Sequence, residues 1–229
     1  MNNLNEYNEE KFKHAFENST IFQQISNDFD YIIWDKNRTH RMYHTARQVM
    51  GQKIFYVTPF YYIEKLTEKN PDIILDIGCG WNIFKKYIPN IIGLDIDFDN
   101  INFFADIKGF VNDEYVKLHK NYFESAFSIN ALHFGSISNL ENIIVNFVSM
   151  IKPKGRGFLA LNFQRLLDNS SPEELIRIFD TSEPTTIDYE NYIRLVLSKI
   201  ECEYLVVDID LTVMDEYLNG NIRIVFEKC

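Results

Sequence analysis

The stretch Pro71-Asp-Ile-Ile-Leu-Asp-Ile-Gly-Cys-Gly-Trp-Asn82, followed thirteen residues later by Asp95, admits few folds. Ile73, Ile74 and Leu75 behind Pro71 read as a short buried strand. The strand ends at Asp76 and turns through Gly78 and Gly80, where a Cβ would obstruct either the turn or a ligand lying on the backbone. From about Ile83 the chain reads as helix. A second apolar run, Ile91-Ile-Gly-Leu94, then ends in Asp95. An acid at that strand end can accept both hydroxyl hydrogen bonds of a ribose held over the glycine turn.

The rest of the chain extends this pattern. Strands are expected near 72–76, 91–95, 101–105, 124–130, 156–162, 203–210 and 221–227, with helices near 82–87, 138–151, 172–180 and 187–199. Such alternation implies a mostly parallel sheet with helices on both faces. About ten residues join the last two strands, too few for a helical crossover, so that pair should be antiparallel. Residues 1–66 precede this core and read as an N-terminal helical extension, with helices expected over Asn8–Phe22, Phe22–Trp34, Asn37–Val49 and Pro59–Lys69; residues 67–229 form the main domain.

Asp76-x-Gly78-x-Gly80 with Asp95 nineteen residues on resembles motif I and the second-strand acid of class I S-adenosylmethionine-dependent methyltransferases. Phe104-Ala-Asp106-Ile107, the run from Phe123 to Phe134, and Met150-Ile-Lys-Pro-Lys-Gly155 resemble later landmarks of that family, in order. The resemblance covers roughly residues 70–229 and implies a seven-stranded Rossmann-like sandwich that binds S-adenosylmethionine. It assigns the methionine end of the cofactor to Asp76 and to the turn of Gly78, Cys79, Gly80 and Asn82. It assigns the ribose to Asp95 and the adenine to Ile96, Asp106 and Ile107. Asn130 joins the cofactor site at the exit of the fourth strand, and His133 and Phe134 face the methyl acceptor. His133 has the pKa range of a general base, although in this family alignment of the reacting atoms often suffices and the histidine then only shapes the site.

Two departures stand out. Asn82 replaces the third glycine of the motif, and Asn tolerates a left-handed backbone. The fourth strand carries Ser125 and Ser128 and lacks the Asn/Asp-Pro-Pro-Tyr signature of amino-methylating DNA enzymes. NAD would use Asp95 equally well, but Asp76 ahead of the turn suits an ammonium group that NAD does not possess. The expected activity is methyl transfer to an O, N or C nucleophile of a small molecule. The alternatives are an RNA-directed methyltransferase and a catalytically silent, methyltransferase-like regulatory subunit.

Composition narrows the partners. A net charge of −10 argues against a surface built for duplex nucleic acid. Cys79, Cys202 and Cys229 have no metal-like spacing and suit a reducing cytoplasm, and neither a secretory signal nor a membrane span is expected. Against the acidic background, residues 36–63 contain Lys36, Arg38, Arg41, Arg47 and Lys53, with His40 and His44, and no Asp or Glu. Six aromatics interleave with them. The segment reads either as a basic face paired with acidic surface or as a lid in which Arg41, Tyr43 and Arg47 reach cofactor or substrate. The aromatics serve equally as filler between the extension and the sheet. His40 and His44 lack a third ligand, so no metal is expected.

Overall fold

The computed structural model describes residues 9–34, 46–80, 82–96, 105–109, 111–132, 135–214 and 217–229. Strands β1 (Tyr31–Ile33), β2 (Ala46–Val49) and β3 (Gln52–Tyr56) form a small sheet in the order β1-β3-β2. Strands β4 (Ile74–Ile77), β5 (Ile91–Asp95), β6 (Ile107–Lys108), β7 (Phe123–Ile129), β8 (Ile151–Asn162), β9 (Cys202–Met214) and β10 (Tyr217–Lys228) form a seven-stranded sheet. Its order is β6-β5-β4-β7-β8-β10-β9. The strands β6 to β8 run parallel, and β10 lies antiparallel to both its neighbours. The expected α/β sandwich with a C-terminal antiparallel pair is therefore the observed fold.

Burial explains why β4 is apolar apart from Asp76. It sits between β5 and β7, and all four of its residues are buried, as expected for a strand covered on both faces. Alternate residues feed two cores. Leu75 and Ile77 join Phe147, Leu159 and Ile224 on the face covered by α4 (Asp113–Leu118), α5 (Leu140–Met150), α6 (Phe163–Asp168), α7 (Pro172–Phe179) and α8 (Thr186–Ser198). Ile74, Phe127 and Phe158 join Phe16, Ile25, Phe55 and Phe60 on the other face, covered by α1 (Glu9–Glu17), α2 (Thr20–Asp28), the small sheet and α3 (Thr58–Thr67).

The N-terminal extension departs from the all-helical expectation. The helix expected over Phe22–Trp34 stops at Asp28, because Phe29 turns to an extended backbone and Ile32 and Ile33 are β-branched. Residues 46–49, expected as the end of a third helix, are strand β2. Met50 and Gly51 both have positive φ, 50° and 80°, and make the two-residue hairpin into β3. Residues 37–45 of that expected helix lie outside the described residues. Near the cofactor turn, the expected helix over 82–87 is a single 3-10 turn, Ile83–Lys86. The third strand, expected at 101–105, falls at Ile107–Lys108; 101–104 lie outside the described residues. The strand expected at 156–162 begins earlier, at Ile151, and its register against β7 shifts between Phe123 and Ser125.

Candidate functional site

Register brings the acidic residues together at one end of the sheet. Asp76 on β4 pairs with Gly93 on β5 and with Phe127 on β7, so the glycine turn and Asp95 leave adjacent strands at the same, carboxyl end. The turn is pinned to β5 from both sides. The Gly78 and Cys79 N–H groups donate to the Leu94 carbonyl at 2.7 and 3.2 Å. The Gly80 N–H donates to Asp95 Oδ2 at 2.6 Å, while the Ile96 N–H donates to Asp95 Oδ1 at 2.7 Å. Each carboxylate oxygen keeps a second lone pair.

The glycines are there for different reasons. Gly78 has φ +75°, and a Cβ on it would stand 2.1 Å from the Ala131 Cβ, so its role is close packing against the exit of β7. Gly80 has φ +52°, and a Cβ there would meet nothing within 4 Å. That stretch of backbone is left uncovered by the described residues. Asn82 holds φ 50° where the motif's third glycine would stand, and Asn is suited to it.

Asp76 is the most unusual group. It is 1% exposed, and its Oδ2 has no hydrogen-bond partner among the described residues. Burial, and then the negative charge of Asp95, push its carboxyl well above the usual carboxylate range. Burial also raises the Cys79 thiol, which makes Cys79 a poor nucleophile.

Asp106 is placed beside this turn by a different route. Its Oδ2 accepts from the Gly93 N–H at 2.9 Å and from Asn82 Nδ2 at 3.1 Å, and its Oδ1 pairs with Lys85 Nζ. Burial would raise its pKa, but hydrogen bonds from Lys85 and Gly93 outweigh that and hold it below the usual range. Ile96 is half-buried at the end of β5, and Ile107 is 39% exposed on β6. Asn130 ends β7 in a left-handed conformation, φ 54°, with its N–H donating to the Ala160 carbonyl at 2.9 Å.

The remaining acceptor-side expectations fall elsewhere. Arg41, Tyr43, His133 and Phe134 lie outside the described residues, and Arg47 is described only by its backbone, in β2. Among the described residues, the aromatics of that basic segment, Phe55, Tyr56, Phe60 and Tyr62, are buried as filler between the extension and the sheet. Sequence reasoning missed two features. One is the clamp on the loop after β7, where Glu174 Oε1 accepts from Ser136 Oγ at 2.5 Å and from the Ser138 N–H at 3.1 Å. The other is a buried cluster in which Arg223 Nη1 and the Tyr62 hydroxyl both donate to Asp208 Oδ2 at 3.0 Å. A charged residue inside the otherwise apolar run Ile222–Phe226 was its one sequence signal.

No family model matches the chain, and no curated protein does. Solved structures similar to it include TehB from Haemophilus influenzae, 14% identical, with a TM-score of 0.48 over 74% of this chain and 62% of that one. A SAM-dependent methyltransferase from Archaeoglobus fulgidus is 18% identical, with a TM-score of 0.43 over 74% of this chain and 90% of that one. Another, from Methanosarcina mazei, is 15% identical, with a TM-score of 0.43 over 72% and 96%. The fold is the Rossmann-like methyltransferase sandwich. That statement rests on the strand order of the sheet and its single reversed strand. Among the described residues no helix is long and apolar enough to cross a membrane, and no group of three or more His, Cys, Asp or Glu could hold a metal ion.

Proposed function

We propose that this protein transfers a methyl group from S-adenosylmethionine to an oxygen, nitrogen or carbon nucleophile of a small molecule. The observation that carries the proposal is Asp76, a buried carboxylate with an unpartnered oxygen at the strand end that opens the glycine turn. Such a group is costly without a cation, and the amino-acid ammonium of the cofactor supplies one. The open backbone at Gly80 would hold the methionine end, and the second lone pairs of Asp95 would take the ribose hydroxyls. Ile96 and Ile107 would enclose the adenine, with Asp106 at its rim.

The bound cofactor supplies an electrophilic methyl on a positively charged sulfur. The protein's part is to hold donor and acceptor in line and to exclude water, which accounts for much of such a rate enhancement. In this proposal Asn130, His133 and Phe134 position the acceptor, with His133 shaping the site rather than moving a proton. Arg41, Tyr43 and Arg47 are proposed to cover it. The net charge of −10 favours a small acceptor over RNA.

Calorimetric titration with S-adenosylmethionine tests the reading. Asp76→Asn should abolish detectable binding while leaving the protein folded. Because the free-state pKa of Asp76 is raised, wild-type binding should release a proton, and affinity should climb as pH rises toward that pKa and then level off. Binding that is unchanged in Asp76→Asn, or independent of pH, would overturn the role of Asp76.

A further inference from the structure

Strand β10 lies between β8 and β9 and should be apolar on both faces. Asn221 and Arg223 break that rule. Their cross-strand partners make two polar rows on the face covered by α3. In the first row Ala160, Arg223 and Asp208 stand side by side; in the second, one pleat nearer the carboxyl end of β8, stand Asn162, Asn221 and Asp210. The rows adjoin the end of β7, since the Asn130 N–H bonds to the Ala160 carbonyl.

The rows differ in satisfaction. Arg223 is fully buried and Asp208 is 8% exposed, but they bond to each other and Tyr62 bonds to Asp208. Asn221 is 3% exposed, and its Nδ2 has no hydrogen-bond partner among the described residues. Leaving such a donor unmet is unfavourable, and most buried polar groups have a partner in protein, water or ligand. Asn162 and Asp210, which flank Asn221, are half-buried. Asn162 Oδ1 is already occupied as the cap of α6, 3.3 Å from the Arg165 N–H. That leaves an amide donor on Asn221 beside a carboxylate acceptor on Asp210. The two rows carry one positive and two negative charges, which disfavours an anionic ligand.

Resting on the methyl-transfer reading above, we infer that Asn221 and Asp210 fix the polar head of the methyl acceptor, a neutral or cationic small molecule with adjacent hydrogen-bond donor and acceptor groups. Asn221 supplies a hydrogen bond to a carbonyl or hydroxyl oxygen, and Asp210 accepts one from an amine, amide or hydroxyl. Carboxylate and phosphate heads are rejected by Asp210. The Arg223–Asp208–Tyr62 cluster holds β10 and β9 beneath them and does not itself touch the acceptor.

The test uses the full chain, labelled with nitrogen-15 and free of cofactor, with acetamide, methylammonium and acetate as probes. Acetamide and methylammonium should shift the Asn221 side-chain amide resonance saturably, and acetate should not. Asn221→Leu should weaken acetamide binding about tenfold, the loss of one hydrogen bond, while S-adenosylmethionine titrates as in the wild type. Asn221→Asp, which keeps a polar group of the same size, should shift preference toward methylammonium. The inference is overturned if no probe perturbs Asn221, if acetate does so as well as acetamide, or if Asn221→Leu binds acetamide unchanged. A protein that takes acetamide at Asn221 but never binds S-adenosylmethionine breaks the methyl-transfer reading and leaves the subsite standing. The converse breaks the subsite alone.

Discussion

The two halves of the large sheet recognise polar groups by different means. In the half formed by β6, β5 and β4, carboxylates face main-chain amides: Asp95 takes the Gly80 and Ile96 N–H groups, and Asp106 takes the Gly93 N–H. All of it is written between Asp76 and Ile107. In the half formed by β8, β10 and β9, side chains face side chains, and the Tyr62–Asp208 bond joins residues 146 positions apart. Backbone-centred recognition suits an invariant ligand, because it depends on the turn more than on any one side chain. Recognition by side chains suits a ligand that differs from one enzyme to another, since single substitutions rewrite it.

This contrast predicts opposite mutational signatures. The largest effect belongs to Arg223→Met, which strands Asp208 as a buried charge and should cost about 3–5 kcal/mol of folding stability. Chemical denaturation measures it, and cofactor affinity of the folded fraction should not change. Asp95→Ala should do the reverse, weakening S-adenosylmethionine by about 1.5–3 kcal/mol. Calorimetry that finds it binding normally would remove Asp95 from the site. Next comes Asp76→Asn in the free protein. Its folded-state pKa is raised, so the wild type loses stability as pH rises above the ordinary value of 3.8. The variant should therefore match the wild type in acid and gain on it as pH climbs to neutrality, read as a growing difference in Tm. The smallest effect is Tyr62→Phe, which removes one of the two donors to Asp208 while keeping the ring stacked on Phe158 at 4.6 Å. About 1 kcal/mol of stability is expected. A loss matching that of Arg223→Met would mean that the cluster acts as one unit.

The same contrast explains what could be read from the sequence. Most strand positions along the chain and the glycine turn were legible because buried parallel strands leave apolar runs and the turn residues are local. Asp95 was legible for the same reason, one strand away. The engagement of Asp106 with Lys85 and Asn82 was not, since nothing in the pattern says which oxygen meets which donor. The small sheet was misread as helix because Ile32 and Ile33 continue an apolar stripe that suits either geometry over so short a run. The Met50-Gly51 hairpin lacked the usual Asn or Asp signal. Asn221 and Asp210 escaped notice because their adjacency exists only through the register of β10 with β9.

The insertion of β10 between β8 and β9 also constrains how the chain reaches its native state. Among the described residues β9 makes no ladder with β8, and its ladder to the sheet runs through β10. Its ladder cannot form until its successor in the chain is in place, and the glycine turn belongs to sheet that can assemble before either strand. Transient opening at this edge would release β9 from β10 and dissolve the row containing Asn221, while Asp76 and Asp95 kept their places.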